Sequence, residues 1–160
     1  SPTRRRPMAR LLVVHHTPSP AVQTLLEAAL AGAADEALDG LEVTTRPALS
    51  AGAADVLAAD AVLLGTPANI GYMSGALKHF FDVIYYPCLH DSVGTPFAAY
   101  VHGNDDTAGA IRSIRTVTTG LSWRQVADPV SVVGAPSAED VAAVTELAAT
   151  VGAYALGIID

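Results

Sequence analysis

Three short stretches of this chain gather the residue types that bind and orient ligands, and each follows an apolar run. The first, His15-His16-Thr17-Pro18-Ser19-Pro20-Ala21-Val22-Gln23-Thr24, sets hydroxyl side chains around the start of an alanine- and leucine-rich helical segment. Ser19 before Pro20 is a natural N-cap and first helical position, because proline needs no donor there and already has a helical φ. Hydroxyls, free backbone N–H groups and the helix dipole together form a phosphate pocket. The same residues also read as an ordinary capped helix. No Walker lysine is present and no G-x-G-x-x-G follows the first apolar run, which argues against ATP or GTP turnover and against a dinucleotide fold.

The second stretch, Gly65 to Lys78, reads G-T-P-A-N-I-G-Y-M-S-G-A-L-K and is the most specific signal in the chain. It is similar to the flavin-embracing loop of flavodoxin-like NAD(P)H quinone reductases and FMN reductases. In those families G-T-P is followed by a few variable residues, a glycine, then M-S-G or P-G before a helix. The first stretch resembles the same families, which place a serine or threonine where Thr17 and Thr24 stand. The chain thus resembles NAD(P)H-dependent FMN and quinone reductases of the tryptophan-repressor-binding-protein type, and short flavodoxins. Together the two loops cover most of the N-terminal half.

That resemblance implies FMN as cofactor and a division of labour among the loops. Thr17, Ser19 and Thr24, with the amides of Ala21 and Val22, would hold the phosphate. Pro67, Ala68, Asn69, Ile70 and Gly71 would follow the ring edge, with Gly71 free to take a peptide geometry that a Cβ would block. Tyr72 would lie against ring or substrate, or else pack in the core, and core is the expected place of Met73. The third stretch, His102-Gly103-Asn104-Asp105-Asp106-Thr107-Ala108-Gly109, resembles the loop that closes on the pyrimidine end. His102, Gly103 and Asn104 are its expected contacts, while Asp105 and Asp106 read as solvated turn residues. Pro18 and Pro20 depart from the pattern, since they remove two backbone donors from the phosphate loop.

The implied activity is transfer of electrons from NAD(P)H through flavin N5 to a quinone or similar small acceptor. The flavin would carry the chemistry, so no protein residue is expected to be catalytic. Two other readings stand beside it: an electron-carrier flavodoxin serving redox protein partners, and a flavin-free interaction module of the same fold. Aromatic residues are only 6% of the chain, too few to suggest the shielded ring of a carrier. Relatives of the reductase type assemble as dimers or tetramers, which implies a homo-oligomer.

Other chemistries fit poorly. His15 and His16 are adjacent on an extended run, so their side chains point to opposite faces and no metal site is expected. The lone thiol, Cys88, follows a helix end instead of a helix start, and residue 94 is Gly where a phosphatase would need arginine. A receiver domain would end its third strand at an aspartate, whereas this chain has Gly65-Thr66 there.

The elements that must position these loops alternate along the chain. Strands are expected at Leu11–Val14, Leu41–Thr45, Ala61–Leu64, Phe97–Val101 and Val130–Val133, the third stopping at Gly65-Thr66-Pro67. Helices are expected from Pro20 to about Gly32, over Ala53–Ala58, from Ser74 until Pro87 ends it, over Ala110–Leu121, and over Glu139–Leu156 behind a Ser137 cap. This is an α/β pattern: a flavodoxin-like three-layer sandwich with a five-stranded parallel sheet, order 2-1-3-4-5, and helices on both faces. Ligands of such sheets sit beyond the carboxyl ends of the strands, where the three loops lie.

Bulk properties agree. A length of 160 residues suits one core, expected over 9–160, with 1–8 as a flexible leader that carries Arg4-Arg5-Arg6. A net charge of −7 disfavours a nucleic-acid surface. One cysteine permits no internal disulfide, and no apolar run reaches the length of a membrane span, so a cytoplasmic protein is expected.

Overall fold

Adjacent residues on the strands serve different cores. In the computed structural model, which describes residues 8–160, Leu11 and Val13 pack on one side of the sheet while Leu12 and Val14 pack on the other. Such strands must be covered on both faces, which is why they are apolar without interruption. The expectation for Arg4–Arg6 lies outside the described residues.

The strands are β1 (Ala9–His15), β2 (Leu41–Pro47), β3 (Ala61–Asn69), β4 (Tyr72–Met73), β5 (Pro96–Gly103), β6 (Arg124–Gln125) and β7 (Val130–Val133). The helices are α1 (Pro20–Ala33), α2 (Ala53–Leu57), α3 (Gly75–Cys88), α4 (Ala108–Gly120) and α5 (Ala138–Leu156). The parallel order is β2-β1-β3-β5, with β6 and β7 both on the outer edge of β5. Helices α1 and α5 cover the face that carries Leu11, Leu63 and Tyr100. Helices α3 and α4 cover the face that carries Leu12, Leu64 and Phe97. Each fully buried leucine or phenylalanine contributes about 1.5–3 kcal/mol relative to exposure.

The expected layers and the order of the main strands hold, with corrections at the ends. β3 does not stop at Gly65-Thr66-Pro67. Thr66 and Pro67 pair with Val101 and His102 of β5, and Ala68 pairs with Met73 of β4, so pairing continues to Asn69. The short antiparallel β4 was not expected, because two residues are too few to show a period. The fifth strand lies at Val130–Val133 as expected, as β7. A separate two-residue β6 precedes it on β5, with Asp128 and Pro129 in the break between them, where proline has no N–H to give a ladder. Pro87 does not end α3, which runs on to Cys88; in the last turn proline forfeits a single helical bond. The caps at Ser19 and Ser137 are as expected, and Asp140 completes a capping box with Ser137. Among the described residues no helix is long and apolar enough to cross a membrane.

The sheet reverses its order at β1, with β2 on one side and β3 on the other. Loops leaving the carboxyl ends of β1 and β3 therefore diverge to opposite faces and leave a crevice between them.

Candidate functional site

Three loops meet at that crevice. One cleft of about 450 Å³ is walled by Pro18 and Ser19, by Pro67, Ala68 and Asn69, and by His102, Gly103 and Asn104. A second, of about 670 Å³, shares Ala68 and Asn104 with the first and adds Ile70, Gly71, Asp105, Asp106 and Gly109. The two are thus neighbours on either side of one wall. Among the described residues, no Phe, Tyr or Trp lines either of them.

The first loop is held by its own side chains. Ser19 Oγ accepts the Val22 N–H at 3.5 Å, which leaves the serine hydroxyl proton uncommitted. The Thr17 hydroxyl lies 2.7 Å from His15 Nδ1. Burial, and then the neighbouring His16, lower the His15 pKa and favour its neutral ring. Thr24 departs from expectation: it is exposed on α1, and its hydroxyl donates to the Pro20 carbonyl at 3.1 Å. Val22 departs too, since its amide is used by the cap and its side chain is wholly buried. Ala21 keeps a first-turn N–H that has no intrahelical acceptor. Thr17, Ala21, Val22 and Thr24 do not line either cleft; Ser19 does.

The second loop is a two-residue hairpin. Asn69 pairs with Tyr72, and between them Ile70 and Gly71 have φ of 50° and 70°. Positive φ at both central residues defines the type I′ connection, which usually carries Asn-Gly. Gly71 fills its place without strain, whereas the β-branched Ile70 is an outlier. The hairpin is pinned from below. Ser74 N–H donates to Thr66 Oγ1 at 3.1 Å, and Thr66 Oγ1 donates to the Pro67 carbonyl at 2.8 Å. Met73 N–H donates to Ser113 Oγ of α4 at 3.0 Å. A Cβ on Gly109 would lie 2.0 Å from the Gly71 carbonyl oxygen, so α4 starts directly against the turn.

Tyr72 is 41% exposed, so it is not a core residue, and it lines neither cleft. Met73 is in the core, as expected. Lys78 donates to Asp82 at 2.6 Å, and this bond raises its pKa. Its charge is spent along α3 and not in the clefts.

The third loop leaves β5 at Gly103. His102 is nearly buried, and its Nε2 lies 2.8 Å from the Gly134 carbonyl. With hydrogen on Nε2 that contact is a bond, and it fixes the ring in the cleft wall. Gly134 N–H donates back to the Gly103 carbonyl at 2.9 Å. Asp106 Oδ1 accepts the Ala108 N–H at 2.9 Å, so this acid is a turn former, and Asp105 is exposed beside it. Cys88 is the last residue of α3, not beyond it, and burial raises its thiol pKa, an inert combination.

Sequence reasoning missed several of these supports. Gly109, Ser113 and Gly134 carry no local signal, because their work is done by residues distant in the chain. Gly65 did carry one. A glycine inside a strand marks close approach by another group, here the Tyr100 ring of β5.

Known proteins share this arrangement. Residues 15–137 match the sequence model of a family described as NADPH-dependent FMN reductase. A flavodoxin from Aquifex aeolicus (strain VF5) is 35% identical over 75 residues, which make up 47% of this chain and 40% of that protein. The match therefore spans less than half the length of that relative. A flavodoxin, WrbA-like protein from Agrobacterium tumefaciens superposes with a TM-score of 0.75 at 19% identity, over 92% of this chain and 97% of that one. A flavodoxin from the domain Archaea gives 0.77 at 15% identity, over 91% and 98%. At such identities the two structures speak for the fold.

Proposed function

Because the chain belongs to the NADPH-dependent FMN reductase family, with FMN as its cofactor, we propose that it passes electrons from NAD(P)H to a quinone or similar small acceptor. The residues at the sheet edge fit that cofactor. His16 Nδ1 is a buried polar atom without a hydrogen-bond partner among the described residues, and it stands where the first loop leaves β1. The cleft that Pro18 and Ser19 of that loop help to wall is lined also by Pro67, Ala68, Asn69, Gly103 and Asn104, whose backbone and compact side chains suit a flat heteroaromatic edge.

When bound, FMN supplies the redox chemistry, and the chain supplies binding, orientation and local charge. Ser19, Thr17 and the Ala21 amide would hold the phosphate at the dipole end of α1. Backbone groups of Ala68 through Gly71 would hold the ring edge, and those of Gly103 and Asn104 its pyrimidine end. His102 keeps that wall in place through Gly134. Asp105 and Asp106 disfavour negative charge on what sits beside them.

The observation that carries the reductase reading is the absence of any Phe, Tyr or Trp from the lining of both clefts. An uncovered site admits a small acceptor. Against it stands a carrier role, favoured by the net charge of −7, which would steer basic protein partners. The test is steady-state oxidation of NADH and NADPH with a quinone, on protein reconstituted with FMN. Turnover well above that of free FMN is expected. Turnover equal to free FMN favours the carrier, and failure to quench FMN fluorescence leaves a flavin-free interaction module.

A further inference from the structure

The β1–α1 loop is short of donors where a phosphate needs them. Pro18 and Pro20 have no N–H, and the Val22 amide is engaged by Ser19. The structure places another donor below that loop. Tyr100 of β5 is wholly buried, and its hydroxyl has no hydrogen-bond partner among the described residues. Its ring lies across β3: a Cβ on Gly65 would be 2.1 Å from Cζ and 2.2 Å from the hydroxyl oxygen. Gly65 pairs on its other side with His15, the last residue of β1, and its carbonyl accepts the His16 N–H at 2.9 Å. The phenol therefore runs from β5 over a bare strand position toward the start of the loop. It does so on the α1 face, in the same cluster as Val22 of the first helical turn.

A buried hydroxyl left unpaired costs about 1–3 kcal/mol, and phenylalanine would fill the same space without that cost. Gly65 also forgoes a side chain in the middle of a strand to admit the ring. Both features cost stability in the fold by itself, and both are answered if the oxygen is used by a ligand.

We propose that Tyr100 is a further binding residue for the phosphate end of FMN, its O–H donating there in place of an amide that the loop prolines remove. The proposal rests on FMN being the cofactor. Burial raises the Tyr100 pKa, so the phenol keeps its proton and remains a donor beside an anion. The oxygen is shielded from solvent, so the proposed bond requires the loop to shift around the phosphate.

The test is Tyr100→Phe in the full chain, titrated with FMN and separately with riboflavin, which has the same ring and no phosphate. Flavin fluorescence quenching reads both affinities, and thermal melting of the flavin-free protein reads the fold. FMN affinity should fall about tenfold, which is 1.4 kcal/mol. Riboflavin affinity should not change, and the flavin-free variant should melt at the wild-type temperature or above it. Unchanged FMN affinity overturns the proposal, and so does an equal loss for the two flavins. Gly65→Ala, which displaces the ring, should show the same selective loss of FMN. If the wild-type protein binds neither flavin, the cofactor assignment falls and this proposal with it; a wild type that binds FMN as tightly as Tyr100→Phe does removes this proposal alone.

Discussion

Ile70 should be replaceable with a gain in stability, and the size of the gain follows from its backbone and its exposure. Its φ is 50°, and its relative exposure is 104%, so the side chain makes no packing contact that a substitution would forfeit. Holding an L-residue in the left-handed region costs about 1–2 kcal/mol, and a β-branched side chain lies at the upper end. Ile70→Gly removes that strain but frees the unfolded chain, which returns about 0.4–1 kcal/mol of the gain. The net is roughly 0.5–1 kcal/mol, or about 1–4 °C in melting temperature for a domain of this size. Ile70→Asn keeps more of the unfolded-state restriction and suits the first central position of a type I′ turn, so it should do at least as well. Urea and thermal denaturation of the flavin-free proteins measure both. If Ile70 also contributes to holding FMN, saturating flavin should stabilise the wild type more than either variant and narrow the gap. The reasoning is refuted if both flavin-free variants melt below the wild type, because then Ile70 makes contacts that its exposure denies.

Gly109→Ala should act in the opposite sense, since its Cβ would lie 2.0 Å from the Gly71 carbonyl oxygen. The hairpin must shift, at a cost of about 1–3 kcal/mol; under the proposed placement of the hairpin at the ring edge, FMN and riboflavin affinities should fall together. A loss confined to FMN would place the hairpin at the wrong end of the flavin. Stability should also depend on pH through His15, whose pKa is lowered by burial and then by His16. Above its ordinary value of about 6.5 the folded and unfolded states are both neutral and the group contributes nothing. As pH falls below that value the unfolded chain takes up a proton that the folded state resists, so stability is lost until the folded pKa is passed. Thermal melts from pH 7.5 to 5 should show this decline in the wild type and a shallower one in His15→Gln. Parallel slopes would mean that His15 is not the group responsible.

The strands and the helix caps were legible because their determinants are local: four apolar residues at 11–14, Ser19 before Pro20, Ser137 three residues ahead of Asp140. Gly65–Lys78 was legible for another reason, because the order of its residues is specific to one kind of loop. What escaped depends on contacts across the chain. β3 continues to Asn69 because β5 offers partners as far as Pro67 and β4 pairs with the two residues after it, and no pattern in 65–69 announces that. Thr24 illustrates the limit of residue-type reasoning. Its hydroxyl is the right chemistry at the right distance along the chain, yet the helix turns it outward and its own backbone accepts it. Tyr100 escaped for the inverse reason: in an apolar strand it reads as one more core aromatic, and only the empty Cβ position of Gly65 shows where its oxygen goes.

Among the described residues, and beside the unpartnered His16 Nδ1, local rules are broken in four further places, and comparing these separates structural exceptions from functional ones. Ser122 has a φ of 58°, yet it is the αL residue of a helix C-cap: Trp123 N–H reaches the Thr118 carbonyl, and Ser122 N–H that of Thr119. The strain there is repaid by two bonds within the fold. Arg10 Nε lacks a hydrogen bond, but the Glu42 carboxylate lies 3.5 Å away and the side chain is 43% exposed, so the charge has both a counter-ion and water. Ile70 and Tyr100 have no such return. One is strained with its side chain in solvent, the other buries a hydroxyl with nothing to bind, and a glycine or a phenylalanine would relieve each. Ile70 sits in the turn that follows β3, at the wall of one cleft, and Tyr100 lies on β5 against Gly65, the partner of the last residue of β1. Conflicts left uncompensated by the fold are expected where a ligand resolves them. On that ground the phosphate end, which the prolines of the first loop left weakest, is where the bound cofactor should add most to the stability of the chain.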